Sequence, residues 1–270
     1  MQGASSGIGY GLKYQARCIS DVSADTDHTS FLTGTLSLKE ENEGLFSHPN
    51  EIWDLRSCPF DRRIFSSVSS GESFGAAVWQ IPELYGQMHL LPIPTQSATF
   101  SGSVIWWPSG KQNKSISIDQ EKILLWNLDC SVKIAQVQPQ ESAGMLHYLS
   151  AGAWDPHDVN ALALTCESLV QFWDLMTMKK TYSIECAHVH DLEYDTRKKH
   201  ILVTAEDESG IHIWDLRMPR VPIQELPGHA HWTWTVRRNP QYDGLILVYN
   251  LSTPTIIHAL FVPKFKEKYT

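Results

Sequence analysis

The stretch "ILVTAEDESGIHIWDLR", Ile201 to Arg217, decides how the chain is read. A β-branched run opens it, an acidic segment with Gly210 follows, and a second run in which Ile211 and Ile213 alternate with His212 ends in Trp214-Asp215. Apolar runs of this length, joined by a short polar link, read as two strands of a hairpin. The second strand carries a bulky indole near its end, which makes it traceable elsewhere.

Three further segments end in an apolar residue, Trp and a short polar or acidic residue: "AAVWQIP" at Trp79, "ILLWNLD" at Trp126 and "VQFWDLM" at Trp173-Asp174. Trp79 to Trp126 is 47 residues, Trp126 to Trp173 is 47, and Trp173 to Trp214 is 41. A period of about 40–45 residues is that of a four-stranded propeller blade. A second set of strand ends runs in phase with the first, at Pro59, Pro108, Pro156 and Pro240, with Asp195 standing where one proline would fall. Between each of these ends and the next signature Trp there is room for one more strand and two tight turns. Trp53, despite its "WDL", therefore sits on a different strand from Trp173 and Trp214.

These residues resemble the WD40 family, and the resemblance implies an all-β propeller of WD40 type. In that pattern a His, a Ser or Thr and an acidic turn residue tie adjacent strands while the indole N–H is donated; His188, Thr204, Glu208 and Trp214 match it, and His229 opens the next blade. The segments "GLKYQAR", "FLTGTLSLK", "EIWDL", "GAWDPH", "VQFWDL" and "GHAHWTWTV" are further similar to the EARP and GARP complex-interacting protein family. That similarity implies an adaptor that binds vesicle-tethering complexes at the trans-Golgi network and recycling endosomes, with no catalysis and no cofactor.

The propeller is expected over 10–247, after a flexible lead over 1–9 and before a non-repeat tail over 248–270. Its first blade is short by about one strand between Thr33 and His48, and its last lacks a signature Trp after Pro240. An incomplete ring, shortened relative to its family, is the expectation.

The chain totals agree with a protein-binding module. With 270 residues, 42% of them hydrophobic and 19% charged, a substantial core can form. A net charge of −8 excludes a phosphate-tracking surface, so no nucleic-acid partner is expected. Five cysteines without a C-x-x-C spacing suggest a reducing, cytoplasmic setting rather than a disulfide framework. No apolar run reaches the roughly 18 residues of a membrane span, and Gln2 rules out myristoylation; membrane association goes through partners.

"GASSGIGYG", Gly3 to Gly11, has the glycine spacing of a dinucleotide phosphate loop, but only Met1 and Gln2 precede it, where a buried strand is required. Alternation of Tyr10, Leu12, Tyr14, Ala16 and Cys18 follows in place of a helix. The match to Tyr-x-x-x-Lys at Tyr194 and Lys198 falls between two strands, which places the lysine on a turn.

Other constellations are weaker. The pairs His188/His190 and His229/His231 each point two imidazoles to one side, as a zinc site could use, but the sequence supplies no third ligand, and no metal is expected. Cys58 and Cys166 read as buried and inert. Trp232 and Trp234 share a strand face and are candidates for partner contact, whereas Trp106 and Trp107 point to opposite faces, so at most one is expected in the core. Finally, W-D-x-R at 214–217 resembles the box by which WD40 receptors dock on the cullin-4 ubiquitin ligase adaptor, with Arg217 and the upstream Asp207 as candidate partner-binding residues. A ligase substrate receptor is accordingly the alternative function.

Overall fold

The computed structural model describes residues 16–27, 30–35, 48, 51–70, 74–81, 89–91, 101–108, 114–119, 122–129, 134–137, 141–142, 151–166, 168–207, 210–226, 233–238, 245–250 and 256–261. Among these, all regular structure is strand. The strands form six antiparallel sheets in chain order. The first holds β1 (Ala16–Asp21) and β2 (Phe31–Thr35). The second holds β3 (Glu51–Ser57), β4 (Ile64–Ser70), β5 (Phe74–Gln80) and β6 (His89–Leu91). In the third, β7 (Ser101–Trp106), β8 (Lys114–Asp119), β9 (Lys122–Asp129) and β10 (Ile134–Val137) follow one another, and β11 (Glu141–Ser142) also pairs with β9. The fourth is β12 (Gly152–Trp154), β13 (Ala161–Cys166), β14 (Leu169–Asp174) and β15 (Lys179–Glu185). The fifth is β16 (Val189–Tyr194), β17 (Ile201–Glu206), β18 (Gly210–Asp215) and β19 (Gln224–Leu226). The last is β20 (Thr233–Arg238), β21 (Leu245–Asn250) and β22 (Ile256–Phe261).

Each sheet is a meander, and the first strands β1, β3, β7, β12, β16 and β20 lie side by side in that order. This is the radial arrangement of a β-propeller. Among the described residues, no comparably broad contact returns from β20 to β1. The proline-marked strand ends are the ends of these first strands: β3 stops at Ser57 before Pro59, β7 at Trp106 before Pro108, and β12 at Trp154 before Pro156. After β16, Asp195 takes the proline's place and its carboxylate caps the turn, accepting from the N–H groups of Arg197 at 2.8 Å and Lys198 at 3.0 Å.

The core is a series of apolar layers between successive sheets. Cys18 and Leu32 meet Leu55, Phe65 and Trp79; Cys58, Ile64 and Val78 meet Trp106 and Trp126; Ile116, Ile118 and Leu125 meet Trp154, Leu162 and Trp173. Farther along, Ala163, Val170 and Phe172 meet Leu192, Leu202 and Trp214, and Val203, Ile211 and Ile213 meet Val236 and Ile246. Every signature Trp thus covers the sheet before its own. Covering one such ring contributes about 4–6 kcal/mol, taking roughly 150–250 Å² of apolar surface out of water.

The same ring is tied to its own sheet through the indole N–H. Trp79 donates to Ser67 Oγ at 2.7 Å, Trp126 to Ser117 Oγ at 2.8 Å and Trp214 to Thr204 Oγ1 at 3.0 Å. His48 lies 3.1 Å from Ser67 Oγ through Nε2 and packs edge-on against Trp79. In the fourth sheet Trp173 pairs with Leu162, which puts Leu164 where the hydroxyl would be. Its N–H is donated to Gln171 Oε1 at 3.2 Å instead.

Two expectations need correction. Trp106 and Trp107 are both buried, at 7% and 6% exposure, because a propeller strand has a neighbouring sheet on each face and so contributes to two layers. The repeat does not stop at 247: that position falls inside β21, and β22 pairs along all of it, from Asn250 with Ile256 to Leu245 with Phe261. A signature Trp is not required for a ladder built of "IIHALF". The Thr204 hydroxyl donates to Glu206 at 2.6 Å, at the end of β17, while Glu208, the acid matched to the repeat, lies outside the described residues.

Glu206 is 1% exposed, and it also accepts from the Ala187 N–H at 3.0 Å and meets His212 Nδ1 at 2.9 Å. A buried acceptor of this kind is costly to leave unmet. Thr204→Val, which keeps the shape and removes the hydroxyl, is expected to lower unfolding free energy by about 1–3 kcal/mol, with Thr204→Ser costing less; urea denaturation reads both. A second outcome concerns pH. The hydrogen bond to Glu206 holds the His212 imidazolium above its ordinary value of 6.5. Its stabilisation is therefore complete below the unfolded value and is lost as pH rises through the folded one. The gap in urea midpoint between the protein and His212→Gln should be widest near about pH 5.5 and shrink as pH climbs beyond about 6.5; a gap that widens instead refutes the pairing.

Candidate functional site

The two ends of the propeller carry different chemistry. One end collects the turns that join first to second and third to fourth strands, and the other collects the second-to-third turns and the links between sheets. In the fifth sheet, Arg217 follows β18 at the first end while Asp207 lies in the β17–β18 turn at the second. β18 has six residues, about 20 Å at the rise of a strand, so these two candidate residues belong to separate surfaces.

At the first end, Asp215 closes β18 and its carboxylate gathers the following turn. It accepts from Arg217 N–H at 3.0 Å, from Nε at 2.9 Å and from Nη2 at 2.7 Å. Arg217 bonding holds the Asp215 carboxyl below the usual carboxylate range. The guanidinium is thereby fixed in orientation while its side chain remains 59% exposed. Met218, Val221 and Ile223 surround this turn as exposed apolar side chains. On the preceding sheet the equivalent turn is built by Asp174, which accepts from the Met176 N–H at 2.9 Å and the Thr177 hydroxyl at 2.8 Å; the Met176 bond is the main reason its carboxyl is also lowered. That turn presents Met176, 76% exposed, in place of an arginine. An oriented cation beside flexible apolar side chains is a surface suited to protein recognition.

At the second end, three groups converge. His188, exposed just before β16, and His190 on β16 meet edge-on with ring centroids 5.0 Å apart. Asp207 donates its N–H to the His188 carbonyl at 2.9 Å, and its Oδ1 lies 2.5 Å from His190 Nε2. Asp207 is thus the third polar group that the spacing of the two histidines alone does not reveal. A turn folds it back over the start of β16.

Other candidates resolve plainly. Tyr194 ends β16, buried at 3% exposure, and Lys198 lies in the turn beyond it, so the pair is not carried on a helix. Cys58 and Cys166 are buried, and burial pushes the Cys186 thiol up to about 12, away from nucleophilic use. Residues 1–15, His229, His231 and Trp232 lie outside the described residues, while Trp234 occupies β20 where the register against β21 shifts. Sequence reading missed the pair between buried Asp191 and half-buried Arg237, where Asp191 Oδ2 also accepts the Val236 N–H at 3.1 Å and so joins β16 to β20. It also missed Glu206; its spacing of two from Thr204 was the available signal, since strand residues two apart share a face.

Comparison with known proteins follows from this architecture. The family model described as the EIPR1 beta-propeller matches residues 4–253. WD repeat-containing protein DWA2 of Arabidopsis thaliana is 56% identical, with 100% of this chain and 83% of that protein aligned. EARP and GARP complex-interacting protein 1 of Homo sapiens is 32% identical over 88% of this chain and 73% of its own length. The EARP-interacting protein homolog of Gekko japonicus is 31% identical over 92% of this chain and 75% of its own. Sheets in series, indoles in phase and a match over nearly the whole length lead to one conclusion: the chain belongs to the EIPR1 beta-propeller family.

Proposed function

We propose that this protein is a non-enzymatic adaptor that docks vesicle-tethering complexes of the EARP and GARP kind, and through them works in endosomal recycling and endosome-to-Golgi transport. The observation that carries the reading is the likeness, over 88% of the chain, to a human protein named for interacting with those two complexes. The fold supports it physically. A propeller holds its sheets rigid through the interlayer indoles and leaves two chemically distinct ends for partners, so several proteins can be held at once with no bond made or broken. Its place in the cell is then cytoplasmic, peripheral at the trans-Golgi network and endosomes by way of its partners.

A second reading, as substrate receptor of a cullin-4 type ubiquitin ligase, is favoured by one specific feature, the exposed Arg217 clamped by Asp215 beside Met218. A partner carboxylate or carbonyl would find the cation already oriented.

The two readings separate in an affinity purification of the chain from its native cells, with mass spectrometry of what it carries, for the unaltered protein and for Arg217→Ala. The exposed substitution should move stability by no more than about 0.5 kcal/mol. Tethering-complex subunits are expected in equal yield from both. Absence of those subunits, together with a ligase adaptor that Arg217→Ala removes, would replace the first reading by the second.

A further inference from the structure

We infer that His188, His190 and Asp207 form a binding site for one divalent transition-metal ion of the zinc class, at the end of the propeller opposite Arg217. The two imidazoles and the carboxylate offer one ligand atom each, and the three atoms lie within 4.8 Å of one another. Zinc takes nitrogen and carboxylate oxygen at about 2.0–2.2 Å, which sets such ligands somewhat over 3 Å apart around a tetrahedral ion. Binding asks the three groups to settle at that spacing, with His190 and Asp207 parting slightly from their present 2.5 Å approach.

Two features of the fold hold the ligands ready. Between Val189 and Asp191 the register of β16 against β17 shifts, so His190 is the extra residue of a bulge; bulges re-aim side chains where a regular ladder would not. The backbone bond from Asp207 N–H to the His188 carbonyl, 2.9 Å, fixes the β17–β18 turn against the strand entry that carries both histidines. His190 and Asp207 are largely enclosed, with side chains 12% and 25% exposed, whereas His188 is exposed. Two anchored ligands and one at the surface leave the fourth position of a tetrahedral ion toward solvent. Two neutral imidazoles and one carboxylate suit zinc, nickel or copper rather than calcium or magnesium, which prefer all-oxygen shells.

The test is isothermal titration of the full chain, stripped with chelator, with zinc chloride, together with the visible absorption of the cobalt(II) form. One ion per chain is expected, with a dissociation constant in the micromolar range. His188→Ala and Asp207→Asn should each weaken binding about tenfold or more, while His200→Asn, at an exposed histidine outside the cluster, leaves it unchanged. The tetrahedral cobalt bands should vanish with His188→Ala, and the urea midpoint of the metal-free variant, read alongside, shows that the sheet is intact. Absence of saturable binding overturns the proposal, as does binding that His188→Ala leaves intact.

Discussion

Each signature tryptophan is bound to one sheet and covers another, and the propeller depends on that division. The indole N–H of Trp79, Trp126 and Trp214 is satisfied by a hydroxyl of its own sheet, and the ring face is spent on the sheet before. A polar group buried between sheets would be costly without that hydroxyl, and a ring without the neighbouring sheet would be left wet. Local hydrogen bonding and long-range burial therefore require each other. Polar groups also span a layer: Trp106 reaches from β7 to Ser66 Oγ at 3.0 Å, and His157 Nε2 lies 2.9 Å from the Asp195 carbonyl.

The sheets are equivalent in plan and not in detail. In the fourth, Leu164 displaces the hydroxyl, Gln171 serves Trp173, and Thr165 turns to the Ala151 backbone, receiving its N–H at 2.8 Å. β12 approaches the third sheet so closely that a Cβ on Gly152 would lie 2.6 Å from Ile105 Cδ1 and 3.0 Å from Ile118 Cδ1. Loss of the hydroxyl thus coincides with a close apolar approach between sheets. The fifth sheet takes the opposite course: Thr204, Glu206 and His212 form a buried chain, and Asp191 binds Arg237 of the next sheet.

Much of this was legible in the residue spacing. The 47-residue steps between tryptophans and the parallel series of prolines placed third and first strands correctly, because both mark backbone positions that repeat with the blade. What spacing could not supply was depth. Trp106 and Trp107 face opposite ways, which in a one-sided sheet would expose one of them, and only the presence of sheets on both sides buries both. Glu208 matched a position in a pattern, whereas Glu206 sits on the same strand face as Thr204 and so takes the bond. Asp207 joins His188 and His190 through a turn, and pairings made by a turn's closure are invisible to a count along one strand. The last sheet lacked the indole that made the others recognisable, so its third strand went unseen although its apolar residues are ordinary for a strand.

The direction of the tryptophan layers has a bearing on synthesis. Because each indole reaches back to the sheet before its own, a blade emerging from the ribosome shows an uncovered apolar face until the next signature Trp arrives, 47 residues later between Trp126 and Trp173. At about 5–20 residues per second this exposure lasts a few seconds per blade. The faces of the first four sheets are thus each left open during synthesis until the residue that names the repeat closes them.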